Sequence, residues 1–299
     1  MTTRATASDT MLLYFDDEAA PALRVAQAAG LNAVLISRHR FPDGELKLTL
    51  PPTLPARLVL YRSLAQPNEK LVELLFVAQS ARSLGARDIT LICPYLAYMR
   101  QDIAFHPGEV VSQRVAGQFL ATLFDAVITV DPHLHRVATL AEAVPVKRPQ
   151  VLSGAPLLGD YIVQQRPNAF LLGPDSESAQ WIASAAQAHG LDHAVCDKVR
   201  HGDREVDVQL PDVDLRGRAF VLLDDVASSG RTLARAAQAA LQAGAASVDV
   251  AVTHALFAGD ALRIIADAGV DAVWSTDCIT HPSNVVTMAD VLAAALASG

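Results

Sequence analysis

The sequence predicts an α/β protein built on parallel sheets, and three observations carry that prediction. Short β-rich apolar runs recur along the chain, segments of helical periodicity lie between most of them, and glycines stand where those helices should stop. In order, the runs are Ala33–Arg38, Leu58–Arg62, Ile89–Pro94, Ala126–Val130, Ala169–Gly173, Ala219–Leu223, Val248–Thr253 and Ala272–Ser275. Each is too short for a helix and is rich in branched or aromatic residues, so each reads as a strand. The periodic segments are Glu18–Ala29, Glu69–Leu84, Val110–Leu123, Ser178–His189, Leu233–Ala243 and Asp260–Ala268. Gly30, Gly85, Gly190, Gly244 and Gly269 close five of them, because a left-handed closing residue costs glycine little. Strand, helix, glycine and strand again is the pattern of α/β units.

Between Val144 and Asp160 the chain concentrates Pro, Gly and basic residues, with similar alternating units on both sides. This predicts a boundary near residue 150, with domains at 1–150 and 151–285. The Ala-rich tail, 286–299, reads as a closing helix that packs on the N-terminal domain.

Composition narrows the function. The chain has 299 residues, of which 51% are hydrophobic and 19% charged, enough to bury a sizeable core. With 24 Lys+Arg against 32 Asp+Glu the net charge is −8, which argues against a general affinity for nucleic acid while leaving room for local phosphate sites. Three widely spaced cysteines, Cys93, Cys196 and Cys278, fit a reducing compartment without a disulfide framework, so a cytoplasmic protein is expected. No apolar run approaches membrane-spanning length, and the first residues read as a short frayed start rather than a leader.

In open α/β sheets ligands gather at the carboxyl ends of strands. There the sequence places CPYLAYMRQD (Cys93–Asp102), DPHLHR (Asp131–Arg136), GPDSES (Gly173–Ser178) and DDVASSGRT (Asp224–Thr232). The last runs from two carboxylates through small and hydroxylic residues into a helix, offering N–H groups and hydroxyls to an anion. Asp224 and Asp225 suit sugar hydroxyls or a metal instead, so the stretch as a whole suggests a sugar phosphate; a capped helix without ligand explains it equally well. His133 and His135 could hold a metal, but a single His-x-His is as readily a surface pair. Asp175 with Ser176 or Ser178 could be no more than helix capping, and FPDGE (Phe41–Glu45) no more than a hairpin turn.

Taken in order, FPDGE, PYLAYMRQD (Pro94–Asp102), DPH (Asp131–His133), GPD (Gly173–Asp175), DKVR (Asp197–Arg200) and DDVASSGRT resemble the ribose-phosphate pyrophosphokinase family over roughly residues 35 to 285. The resemblance implies two tandem phosphoribosyltransferase-type domains, each a mainly parallel sheet flanked by helices. It implies an enzyme that uses Mg2+ to transfer the β,γ-diphosphoryl group of ATP to the 1-hydroxyl of ribose 5-phosphate, releasing AMP. Phe41, Asp43 and Glu45 would reach from a neighbouring subunit to the adenine, so a homo-oligomer is implied. Arg100, Gln101 and Asp102 would line the nucleotide site. His133 and Asp175 would position the metal-bound ATP, and Lys198 and Arg200 would neutralise charge at the β-phosphorus. Asp224 and Asp225 would hold the ribose hydroxyls, with Ser228, Ser229, Gly230, Arg231 and Thr232 around the 5-phosphate.

The departures from the family pattern are local. An Asp is replaced by Ser228, a Thr by Ser229 and a Gly by Arg231, and Glu177 brings negative charge near the place expected to receive diphosphate. An arginine at a glycine position should either accept a strained backbone or alter the path of the loop. Three alternatives stay open: a nucleotide-binding regulatory relative without catalysis, a transferase for another sugar phosphate, and a metal hydrolase built on His133 and His135.

Overall fold

The computed structural model describes residues 10–201 and 205–299, with side chains left undescribed over 198–208. The chain forms two units, Met1–Leu152 together with Met288–Gly299, and Ser153–Thr287.

The first unit runs β1 (Thr10–Tyr14), α1 (Ala19–Ala29), β2 (Asn32–Leu35), β3 (Ser37–Arg40), β4 (Leu46–Thr49), β5 (Arg57–Tyr61), α2 (Pro67–Ser83), β6 (Asp88–Ile92), α3 (Ser112–Leu123), β7 (Ala126–Val130), α4 (Leu140–Ala143) and β8 (Arg148–Leu152). Its sheet has the order β2-β1-β5-β6-β7-β8, every neighbouring pair parallel, and β3 and β4 form a separate antiparallel hairpin. The second unit runs α5 (Ala155–Gln165), β9 (Phe170–Gly173), α6 (Ala179–Gln187), β10 (His193–Val195), β11 (Asp197–His201), β12 (Glu205–Gln209), β13 (Ala219–Ala227), α7 (Arg231–Gln242), β14 (Ser247–Ala255), α8 (Ala261–Asp267), β15 (Val273–Thr276) and β16 (Asn284–Val286). Its sheet order, β10-β9-β13-β14-β15-β16, repeats the first in topology and is again wholly parallel, with β11 and β12 as the hairpin. The last helix, α9 (Ala289–Ser298), belongs to the first unit, where it packs on α1 and β8.

Parallel sheets covered on both faces need strands that are apolar throughout, and the central strands are: every residue of β7 and of β9 is buried. Gly117 lets α3 approach α4 closely, since a Cβ there would lie 1.7 Å from the Ala143 carbonyl oxygen. All five glycines expected to stop helices adopt positive φ. The three cysteines are buried thiols, and burial pushes that of Cys196 up to about 12, which makes it inert. Among the described residues no helix is long and apolar enough to cross a membrane.

Some expectations need correction. The expected frayed start falls on residues outside those described, and directly after it, from Thr10, comes a strand the sequence did not announce, β1, inside the sheet between β2 and β5. The run Ala33–Arg38 is not one strand: it breaks at Ile36, whose N–H still reaches the Tyr14 carbonyl at 2.8 Å before the chain turns into the hairpin. The Pro- and Gly-rich stretch from Val144 also carries elements the sequence did not single out. It holds β8, which tolerates Pro149 because it is an edge strand, and then α5, which begins with Pro156 in its first turn.

Candidate active site

Strained backbone marks the carboxyl ends of the strands. Gln66, Tyr98 and Asp131 follow β5, β6 and β7 with φ of 54°, 66° and 36°, and Phe257 follows β14 with φ of 35°. Left-handed geometry at non-glycine residues persists only where surrounding contacts impose it, and such residues gather at functional sites.

In the first unit FPDGE is the tip of the β3–β4 hairpin. The Phe41 N–H donates to the Glu45 carbonyl at 2.8 Å, the Gly44 N–H to the Phe41 carbonyl at 2.9 Å, and the Glu45 N–H to the Asp43 carboxylate at 3.2 Å. The turn is thus closed by its own backbone, and Phe41, Asp43 and Glu45 are all exposed, with the His39 ring edge-on to Phe41 at 4.9 Å. Beyond β6, Arg100 is exposed, and Gln101 accepts from the Ser112 hydroxyl at 3.2 Å. Asp102 is buried and committed: its carboxylate accepts from the Arg136 backbone N–H at 3.0 Å and from the Arg136 guanidinium at 2.8 Å. Burial pushes the Asp102 carboxyl up, but Arg136 outweighs it and holds the pKa below the usual carboxylate range. Arg136 also lies over the Phe105 ring at 5.8 Å, so one residue ties together the segments after β6 and β7. His133 is half-buried and His135 exposed, their rings 6.2 Å apart. Among the described residues no group of three or more His, Cys, Asp or Glu could hold a metal ion.

In the second unit Asp175 follows β9 and caps the short turn Ser176–Ser178: its carboxylate accepts from the Glu177 N–H at 2.9 Å, and the Ser178 hydroxyl donates to its carbonyl at 2.6 Å. The Glu177 side chain is exposed. Asp224 and Asp225 sit in the far half of β13, and the Asp225 N–H donates to the Asp224 carboxylate at 3.0 Å. Burial, then the charges of Asp225 and Asp175, push the Asp224 carboxyl well above the usual range. These three carboxylates stand at the ends of the paired strands β9 and β13, near enough for the charges of Asp225 and Asp175 to act on Asp224.

The loop after β13 is pinned from the side, because the Phe257 N–H donates to the Ala227 carbonyl and the Ala258 N–H to the Ser228 carbonyl, both at 2.9 Å. Gly230 enters α7 with φ of +70°, where a Cβ would lie 3.0 Å from the Ala261 carbonyl oxygen. The left-handed position is thus Gly230 and not Arg231. Arg231 is the first helical residue, outside the left-handed region and exposed, so the strain expected of an arginine in this loop is absent. Ser228 and Thr232 are half-buried and Ser229 exposed beside it. Lys198 and Arg200 stand on β11 opposite Val208 and Val206, two positions apart and hence on one face of the ribbon; their side chains lie outside the described residues.

Two residues of these strand ends escaped the sequence reading. Arg136 was visible only as the last letter of DPHLHR, and Arg62 only as a charge closing an apolar run. Arg62 is 1% exposed and its guanidinium stacks over the Phe15 ring at 4.4 Å.

A parallel sheet with an inserted hairpin, and carboxylates leading through a left-handed glycine into a helix, define a phosphoribosyltransferase-type domain. The phosphoribosyl transferase domain family matches residues 155–278, and the N-terminal domain of ribose phosphate pyrophosphokinase matches residues 11–123. The chain belongs to the ribose-phosphate pyrophosphokinase family. It is 32% identical to the ribose-phosphate pyrophosphokinase of Methanopyrus kandleri, over 91% of this chain and 94% of the relative. It is 33% identical to ribose-phosphate pyrophosphokinase 1 of Archaeoglobus fulgidus, over 92% and 95%. The fold is similar to that of the phosphoribosylpyrophosphate synthetase from Mycobacterium smegmatis, with a TM-score of 0.80 at 22% identity, covering 97% of this chain and 100% of that one.

Proposed function

We propose that this protein is a ribose-phosphate diphosphokinase, transferring the β,γ-diphosphoryl group of ATP to the 1-hydroxyl of ribose 5-phosphate to give phosphoribosyl pyrophosphate and AMP. The observation that carries the proposal is the carboxylate cluster of Asp175, Asp224 and Asp225 immediately ahead of the glycine-entered helix α7. Neighbouring carboxylates gain by accepting hydroxyls or a cation, whereas a helix start beside hydroxyls favours phosphate. A sugar phosphate presents both kinds of partner.

In this reading Asp224 and Asp225 accept from the ribose hydroxyls, while Ser228, Ser229, Gly230 and Thr232 surround the 5-phosphate and Arg231 adds a charge-assisted contact. Phe41 stacks on adenine, with Asp43 and Glu45 accepting from its amino group or the ribose, and the exposure of the whole turn suits presentation to a neighbouring copy of the chain. Arg100 and Gln101 face the nucleotide, and Asp102 acts through Arg136, which it holds. The hard oxygen donors at Asp175 fit Mg2+, which typically takes one or two carboxylates, waters and substrate phosphates rather than a full protein cage, and His133 is a separate candidate for positioning metal-bound ATP. When bound, it would offset phosphate charge. Lys198 and Arg200 stabilise the negative charge that develops at the β-phosphorus as the hydroxyl attacks and AMP leaves. An ATP-consuming enzyme with three buried thiols suits the cytoplasm.

Phosphorus NMR of the full chain with ATP, Mg2+ and ribose 5-phosphate should show AMP and a new anomeric diphosphate forming together. Nucleotide binding without AMP formation from any pentose phosphate would replace this reading with that of a regulatory relative.

A further inference from the structure

A set of charged side chains that the chemistry above does not use lies beside the β3–β4 hairpin. Glu73 on α2 is 0% exposed, and each of its carboxylate oxygens is taken by a different arginine. Arg38 Nη1 donates to Oε1 at 2.6 Å, and Arg62 Nη2 donates to Oε2 at 2.5 Å. Arg62, directly after β5, also reaches Asp17 at 2.7 Å and lies 3.2 Å from Glu18. Glu18 accepts from the Ser63 N–H at 3.1 Å and from Lys70 at 2.9 Å. The Ser63 hydroxyl in turn accepts from the N–H of Tyr95, the second residue of PYLAYMRQD, at 3.2 Å. Arg38 stands on β3, three residues before Phe41, and makes a second pair with Asp16 at 2.8 Å. Arg40, next to the tip, pairs with Glu69 on α2.

Buried ion sets of this kind add little net stability over apolar packing of the same volume, because desolvation cancels most of the attraction. They do impose geometry, since a planar guanidinium meets a carboxylate in few orientations. The fork on Glu73 is a continuous connection from the hairpin that carries Phe41, through α2 and the end of β5, to the segment that carries Arg100 and Gln101.

We propose that Arg38, held through Glu73 by Arg62, is a positioning residue for the nucleotide: it fixes the direction in which the Phe41–Glu45 tip leaves the domain. This rests on the reading of that tip as nucleotide-binding. Arg38 touches no substrate and acts through the hairpin. Its partner Glu73 keeps Arg62 when Arg38 is removed, so Arg38→Met leaves no buried charge without a counter-ion.

Titration calorimetry on the full chain separates the outcomes, using Mg-ATP and, as a control, ribose 5-phosphate. For Arg38→Met we expect the Kd for Mg-ATP to rise about tenfold while that for ribose 5-phosphate stays within about twofold. In a Phe41→Ala background Arg38→Met should cause a clearly smaller further loss than in the parent, because the stacking contact it would misplace is already gone and only Asp43 and Glu45 remain to be positioned. If Phe41→Ala leaves Mg-ATP binding unchanged, the nucleotide reading of the tip fails and the positioning role fails with it. If Phe41→Ala weakens binding but Arg38→Met does not, or if the two effects add in full, the positioning role alone is overturned. Equal weakening of both ligands would also overturn it, as it would mark Arg38 as a general stabiliser of the fold.

Discussion

In each unit the third strand of the sheet enters its helix through a residue in the left-handed region, Gln66 ahead of α2 and Gly230 ahead of α7. The two corners are comparable residue by residue. β5 meets β6 at Arg57 opposite Asp88, and β13 meets β14 at Ala219 opposite Ser247. Counted from those pairs, Arg62 stands at the position of Asp224. In the second unit the corner holds Asp224, whose carboxyl is pushed up first by burial and then by the charges of Asp225 and Asp175. In the first it is filled by the chain's own ions, with Arg62 among Asp17, Glu18 and Glu73. In the reading proposed above, one copy of the fold keeps the corner for a ligand, while the other has turned it into an anchor and carries its binding residues on a hairpin and on neighbouring strand ends.

The largest expected effect tests whether the two hairpins have diverged equally far. Lys198→Ala, in the second unit's hairpin, should lower kcat by at least about a hundredfold while the Kd for Mg-ATP barely moves, since its charge is needed only as negative charge develops. Unchanged turnover would remove Lys198 from the chemistry and leave both hairpins as binding elements.

The next test exploits opposite signs at matched positions. Arg62→Met takes one of two cations from each of the buried Glu73 and Glu18, leaving them Arg38 and Lys70, and should cost about 1–3 kcal/mol, several degrees in Tm. Asp224→Asn relieves repulsion and should raise Tm by about 2–4 °C while raising the KM for ribose 5-phosphate at least about tenfold. Differential scanning calorimetry with steady-state kinetics measures both, and Tm shifts of the same sign would end the contrast between anchor and ligand site.

The smallest effect concerns the amino-terminal ends of the sheets. Burial pushes the Asp125 carboxyl up, but Lys147 and Arg82, at 2.8 and 2.6 Å, together with the Ile89 N–H, bring it down to about 2. Its folded pKa is therefore below the unfolded value of about 4, so the stability it supplies is complete above about pH 4 and is lost as pH falls towards about 2. In the second unit Asp249 is gripped by Arg166 at 2.8 and 3.2 Å, yet burial outweighs the pairing and its shift is upward. Asp125→Asn should lower Tm at neutral pH, with the gap to the parent closing between about pH 4 and pH 2. A gap that stays constant through that window would show that Asp125 contributes by shape alone.

The alternation of strands and helices was readable because parallel strands buried on both faces are continuous apolar runs, as in Ala126–Val130. β1 was passed over although Met11–Phe15 is a continuous apolar run, because it follows directly on the polar first residues of the chain, and β8 was passed over because Pro149 argues against a strand unless the strand is known to be an edge. The strand-end motifs announced themselves by residue type. What they could not announce was partnership. Asp102 looked like a ligand residue, and only the folded chain shows its carboxylate taken by Arg136, 34 residues later. Arg231 looked strained until the left-handed position proved to be the preceding Gly230.

The place of α9 has a consequence for how the chain comes to be folded. It completes the first unit by packing on α1 and β8, yet it is synthesised after the whole of the second unit. During translation the first unit therefore waits with the α1 side of its sheet uncovered while its neighbour is made, a stage at which exposed apolar surface invites aggregation. Chains stalled before α9 would carry a finished second unit and an unfinished first.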